Sequence, residues 1–198
     1  MITIIEKEEL LVAIRIYIDQ GHNPQSPNAG AEGNGLREQD IVYRIGVETK
    51  ILLDQNEEFV TRLSRPTPQT QLGSSNASSL RARVDDANSW QADLFLSLHC
   101  NASVDTSATG SEALVFQREG VAYSIAETLL ITLTEATGLQ NRGIFIRPGV
   151  YVLRRTQMPA VLLELGFITN PSDAALLQNN PRLFAQGIYN GIVRYYGV

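Results

Sequence analysis

The sequence predicts an α/β domain with a mostly parallel, twisted sheet flanked by helices on both faces, on three observations. Short apolar runs alternate along the chain with longer stretches of helical period. Two runs, LFLSL at Leu94–Leu98 and AVLLEL at Ala160–Leu165, are almost continuously apolar, as strands buried on both faces are. The 198 residues are 43% hydrophobic and 19% charged, with no internal repeat or long linker, which suits one domain with a full core.

Arg15–Asp19 (RIYID) is the first strand and ends at Gly21; the residues before it, 1–14, are read as an extension outside a domain spanning 15–198. A loop rich in Asn, Pro, Gly and Ser follows from Asn23 to Gly35. A helix is predicted over Leu36–Asn56, with Ile41, Ile45, Ile51 and Leu52 turned inward. Phe59–Leu63 is the second strand, and Ser64–Ser78, with Pro66 and Pro68, is a loop. Ser79–Ala92 is the next helix, capped by Ser78 or Ser79. Leu94–Leu98 is a buried strand, and the loop Asn101–Gly110 leads to the strand Glu112–Phe116. Val121–Thr137 is an amphipathic helix stopped by Gly138. Tyr151–Leu153 and Ala160–Leu165 are strand candidates. Pro171–Gln178 and Pro181–Tyr196 are helices, each opened by a proline in its first turn.

A net charge of -5 gives no basic footprint for phosphates, so nucleic acid is not an expected partner. A single cysteine, Cys100, excludes an intrachain disulfide. The opening MITIIEKEELL lacks the positive start, apolar stretch and small-residue cleavage site of a signal peptide. No apolar run reaches the roughly 20 residues that span a bilayer, so no membrane span is expected.

The only two histidines, His22 and His99, each follow or close an apolar run, in RIYIDQGH and LFLSLH. Neighbouring parallel strands would bring both rings to the same sheet edge, where open sheets collect ligands. Imidazole is a common zinc ligand. Each ring taken singly is better read as a hydrogen-bonded histidine at a strand end. Glu38, in the first turn of the next helix, is a candidate third ligand, with Asp40 and Glu32 as rivals; an acid there also simply complements the helix dipole. Glu164 sits in the apolar run AVLLELGF. Burial raises a carboxyl's pKa and suits it to proton transfer; the alternatives are a solvent-facing position or an ion pair with Arg154 or Arg155. Cys100 beside His99 suggests a thiol nucleophile, but adjacent strand residues point to opposite faces, and a small buried hydrophobe is the better reading. Two histidines and a carboxylate leave one position of a zinc ion open for water, and a nearby carboxylate completes the set for amide hydrolysis.

At three stretches the chain resembles the zinc-dependent N-acetylmuramoyl-L-alanine amidases of the amidase-3 type. These are Ile18–Ile41 (IDQGHNPQSPNAGAEGNGLREQDI), Ser97–Phe116 (SLHCNASVDTSATGSEALVF) and Tyr151–Leu177 (YVLRRTQMPAVLLELGFITNPSDAALL). The resemblance runs in order from about Arg15 to the end of the chain. It implies cleavage of the amide between muramic acid and L-alanine in peptidoglycan. It implies one zinc ion held by His22, Glu38 and His99, which settles the rivalry with Asp40 and Glu32, and Glu164 as general base and acid. It implies that Asn101 orients the site or contacts substrate. The activity implies a place in the cell wall or outside the cell.

The chain also departs from the family pattern. Asn23 and Pro24 stand where two glycines often follow the first histidine. The stretch Gly143–Arg154 differs from the usual sequence, which makes Arg147 and Tyr151 candidate substrate contacts alongside their plain readings as a solvated arginine and a packed aromatic. Only one helix-length stretch, Val121–Thr137, follows Glu112–Phe116, so an open site is expected, without the inserted helix that blocks the zinc in some members. No wall-binding repeat is seen, so targeting falls to the domain itself, to a partner protein or to the place of release. Two other readings stay open: a non-catalytic peptidoglycan-binding module, and a zinc hydrolase of another amide.

Overall fold

The computed structural model describes residues 13–198. The chain enters on β1 (Ile14–Gln20), makes a small antiparallel pair from β2 (Glu32–Gly33) and β3 (Leu36–Arg37), and continues into α1 (Glu38–Leu53) and β4 (Phe59–Leu63). Then follow α2 (Asn76–Ser89), β5 (Leu94–Asn101), β6 (Ser111–Val115), α3 (Val121–Thr137), β7 (Asn141–Ile146), α4 (Tyr151–Arg155), β8 (Ala160–Phe167), α5 (Pro171–Asn179) and α6 (Pro181–Tyr196). Six strands form one sheet in the order β4-β1-β5-β8-β6-β7. Every neighbouring pair is parallel except β6 with β8, so the mostly parallel sheet predicted from the apolar runs is present. Because β6 and β7 run against β8, their first residues lie at the edge where β1, β5 and β8 end.

Strand alternation divides the buried residues between two faces. On one face Ile16, Ile18, Leu96, Leu98, Leu163 and Leu165 pack with Ile41 and Ile45 of α1, Leu129 and Leu133 of α3, and Phe184 and Ile188 of α6. The helices α3 and α6 meet closely: a Cβ on Gly187 would lie 2.8 Å from the Leu133 Cα, and one on Gly191 2.9 Å from the Leu129 Cα. On the other face Tyr17, Phe95, Ala160 and Leu162 pack with Val84 and Ala87 of α2 and with Val152 and Leu153 of α4. Helices therefore cover both faces, as predicted, but unequally.

Several boundaries differ from the sequence reading. Leu36 and Arg37 belong to β3, because Asn34 and Gly35 take φ values of 51° and 76° and turn the chain into a tight hairpin. Ile51 is 45% exposed on α1 and is not part of the inner face. The cap of α2 is Ser75, whose side chain accepts from Ser78 N while Ser78 reaches back to the cap backbone, so the helix starts three residues earlier than predicted. Tyr151–Leu153 is helix, not strand: after the turn at Pro148–Gly149 the chain winds once and buries Val152 and Leu153. The edge strand β7 was not anticipated; Gly143, at φ 95°, interrupts its pattern, and its side chains are only half-buried. The extension assigned to residues 1–14 lies outside the described residues up to 12, and β1 already begins at Ile14.

Candidate metal centre and active site

His22, Glu38 and His99 arrive from three elements at one end of the sheet. β1 makes its last ladder bond through Gly21 N to Leu98 O, at 3.0 Å, and the next residue, His22, turns left-handed with φ 66°. Gly21 has to be glycine: a Cβ there would stand 2.5 Å from Cε1 of His99. Glu38 opens α1, and its carboxylate is anchored on both sides, Oε2 accepting from Ala31 N and Oε1 from Cys100 N, each at 2.9 Å. His99 lies in β5, which runs three residues beyond its predicted end.

Three donor atoms meet. His22 Nε2 lies 3.1 Å from Glu38 Oε1, His99 Nδ1 lies 2.9 Å from the same oxygen, and the two ring nitrogens are 3.1 Å apart. If both imidazoles donate to Glu38, their N–H groups crowd one another; if neither does, three lone pairs converge. A divalent cation satisfies all three at once. Tetrahedral ligands at about 2.0–2.1 Å from zinc stand roughly 3.3 Å apart, close to the spacing found here. The donor set and its geometry therefore suit a zinc-like ion.

The electrostatics follow from the packing. Burial alone would raise the Glu38 carboxyl, but hydrogen bonds from His22 and His99 and their charges outweigh it and hold the group well below the usual carboxylate range. Burial likewise acts to lower His99, and the Glu38 carboxylate more than reverses it. Glu164 is pushed up to about 7, chiefly by burial; the charge of His99 works against this rise, while those of Glu38 and Glu112 add to it. Its Oε2 is buried with no hydrogen-bond partner among the described residues.

Strand register explains why these groups share a face. Glu164 on β8 stands directly opposite His99 on one side and Glu112 of β6 on the other. Side chains paired across strands point the same way, so His99, Glu164 and Glu112 form a row. Arg142, at the start of β7, extends it: its Nε donates to Glu112 Oε1 at 2.6 Å and its guanidinium stacks on Phe167. Beside His22 and His99 a cavity of about 270 Å³ is walled by Leu80, Val150, Tyr151, Val152 and Leu162. The helix α3 packs on the opposite face of the sheet, with α6.

The other sequence candidates separate clearly. Tyr151 lines the cavity. Arg147 does not; it is exposed and lies over the ring of Phe145. Asn101, two residues beyond His99 on β5, turns its side-chain oxygen to its neighbour, Ala102 N, at 2.9 Å. Glu32 is exposed on β2, and Asp40 pairs with Arg37 at 3.3 Å, so neither joins the cluster. Arg154 and Arg155 are exposed and form no ion pair with Glu164. Cys100 is buried in the larger core, away from the His99 ring, and burial drives its thiol well above its ordinary value. Asn23, where a glycine was expected, is fully buried and ties its loop to the next, its amide nitrogen donating to Pro27 O and Leu72 O at 2.9 Å each.

Sequence reasoning missed the groups that support this site. Asp19 of the DxGH-like stretch is buried and paired with Arg83 of α2, and Ser97 Oγ donates to it at 2.8 Å. Arg65 is equally buried beneath the His22 turn. The one available signal was Asp19 itself, a charge inside an apolar strand that requires a partner.

Comparison with known proteins agrees with this architecture. A family model described as Amidase_3, N-acetylmuramoyl-L-alanine amidase, matches residues 16–194. The chain is 37% identical over 192 residues to the N-acetylmuramoyl-L-alanine amidase LytC of Bacillus subtilis (strain 168), which covers 94% of this chain but only 36% of that protein. It is 31% identical over 189 residues to the N-acetylmuramoyl-L-alanine amidase CwlM of Bacillus licheniformis, covering 93% of this chain and 70% of the relative. Among solved structures, the catalytic domain of CwlV, an N-acetylmuramoyl-L-alanine amidase from Bacillus (Paenibacillus) polymyxa var. colistinus, superposes with a TM-score of 0.82 at 30% identity, over 93% of this chain and 99% of that one. A match of this extent, on a fold with the same sheet and helices, means that the chain belongs to the Amidase_3 family of N-acetylmuramoyl-L-alanine amidases.

Proposed function

We propose that this chain is a zinc-dependent hydrolase that cleaves the amide between the lactyl group of N-acetylmuramic acid and L-alanine in peptidoglycan. His22, Glu38 and His99 hold the metal and Glu164 carries the proton. The observation that carries the reading is the meeting of three donor atoms within 3.1 Å of one another, with Glu164 on the neighbouring strand, its Oε2 buried and without a hydrogen-bond partner among the described residues. The substrate is taken from the family and from the names of its members.

Zinc at this site would supply Lewis-acid polarisation of the amide carbonyl and an acidified water. Glu164 takes the proton from the attacking water and returns it to the departing alanine nitrogen, a task for which a carboxyl raised to about 7 is matched. The cavity beside the two histidines seats the apolar groups flanking the scissile bond, with Tyr151 in its wall. Asn101 and Arg147 have no comparable position at this cavity.

Action on the wall places the protein at the cell wall or outside the membrane; among the described residues no helix is long and apolar enough to cross a membrane. Targeting by a partner protein is part of the same proposal. The test is digestion of purified peptidoglycan by the zinc-loaded protein, the fully chelated protein and Glu164→Gln, with products read by mass spectrometry. Stem peptides beginning at L-alanine are expected only from the zinc-loaded parent. Equal release after complete metal removal rejects the reading.

A further inference from the structure

Two buried arginines grip the backbone that presents His22. Arg83 Nη1 donates to Gln20 O at 2.7 Å, and its Nη2 donates to His22 O. Arg65 Nη1 lies 3.3 Å from Gly21 O, 3.2 Å from His22 O and 3.2 Å from Gln39 O. Three successive carbonyls at the end of β1 are thus held by guanidinium groups. The third contact of Arg65 is with α1, at the residue after Glu38, so one nitrogen ties together the two segments that deliver His22 and Glu38. Both side chains are buried, Arg65 at 0% and Arg83 at 1% exposure.

His22 has two features that make this grip matter. Its φ of 66° is one an L residue keeps only where the surroundings enforce it. Its second ring nitrogen, Nδ1, is buried with no hydrogen-bond partner among the described residues. A metal-binding histidine is ordinarily oriented by a bond from that second nitrogen. Here the backbone is left to aim the ring.

We propose that Arg65 and Arg83 are positioning residues that preorganise the metal donors, Arg83 by locking the His22 turn and Arg65 by fixing that turn against the start of α1. The inference rests on His22 and Glu38 being metal donors. Arg83 is oriented by Asp19. Among the described residues Arg65 has no carboxylate partner: Nη1 faces the three carbonyls, the guanidinium lies over the ring of Tyr43 at 5.3 Å, and Nε and Nη2 are buried without a hydrogen-bond partner. Arg65 is therefore the better site to perturb, because removing it strands no buried carboxylate.

The test measures zinc affinity by competition with a chromogenic chelator in the full chain, for Arg65→Met, Arg65→Lys and Leu133→Ala. The last is a control in the α3–α6 contact, which lowers stability far from the site. Affinity is expected to fall roughly 10–100-fold in Arg65→Met and to recover in part in Arg65→Lys, which restores the charge without the planar fork. Leu133→Ala should lower the thermal midpoint and leave the affinity unchanged. The positioning role is overturned if Arg65→Met binds zinc within twofold of the parent, or if Leu133→Ala loses as much affinity as Arg65→Met. A parent chain that takes up no zinc removes the metal reading as well, so the two failures are distinguishable.

Discussion

Leu98 and Cys100 on one face of β5, and Ser97 and His99 on the other, are neighbours in sequence whose side chains enter different environments. The first pair enters the broad apolar core under α1, α3 and α6. The second belongs to the face that α2 and α4 cover only in part. There Ser97 bonds to Asp19, and His99 reaches the Glu38 carboxylate. The same division runs through β8, where Leu163 and Leu165 pack in the core while Glu164 faces His99 and Glu112. Strand alternation lets one segment build stability on one side and gather the proposed reacting groups on the other, so substitutions on the two faces should separate turnover from folding.

Glu164→Gln is the sharpest attempt to separate them. It should lower kcat by about 10²–10⁴-fold while the thermal midpoint stays at the parent value; a matching loss of stability would show that the carboxyl is structural. Asp19→Asn, on the same face but beneath the site, should destabilise by about 3–5 kcal/mol, because Arg83 is left buried without its counter-charge. The pair also predicts a pH dependence. Burial acts to raise the Asp19 carboxyl, but Arg83 and the bond from Ser97 hold it below its ordinary value. Its contribution is therefore complete above the unfolded carboxyl pKa, near 4, and is lost as pH falls through the lower folded value. Acid unfolding followed by circular dichroism should show this loss in the parent and not in Asp19→Asn. On the opposite face, Leu133→Ala should cost about 2–5 kcal/mol in urea unfolding and leave kcat unchanged at a temperature where it is folded. The smallest of these effects is that of Ser75→Ala, which removes the α2 cap and should cost about 1 kcal/mol, read from the urea midpoint.

The sequence revealed more of the candidate site than of its support. His22 and His99 stood out because they end apolar runs, and Glu164 because it interrupts one. Each departs from a strand pattern that can be read locally. Arg65 was placed in a loop and Arg83 on an ordinary helix, and nothing in their neighbours in sequence announces that both lie under β1. Their burial arises from tertiary packing, with partners 19 to 64 residues away. Two of the errors in secondary structure have a similar origin. Tyr151–Leu153 belongs to a helix of five residues, too short to display a helical period. The pattern of β7 is broken by Gly143, and its status as a strand depends on pairing with β6. The extra turn of α2 was hidden by the run of serines at its start, any of which makes a plausible cap.

The reversed direction of β6 also affects what the fold can accommodate. The segment 102–110 leaves β5 and returns into β6 at the same rim, so it never crosses the body of the domain. Its tip is free at Val104, while its flanks are pinned by Ser103 N to Thr169 Oγ1 at 3.0 Å and by Asn170 Nδ2 to Thr106 O at 3.0 Å. Residues added at that tip would lengthen the rim without altering the strand order on which His99 and Glu164 sit. The loop can therefore change in length while the strands that carry His99 and Glu164 keep their places.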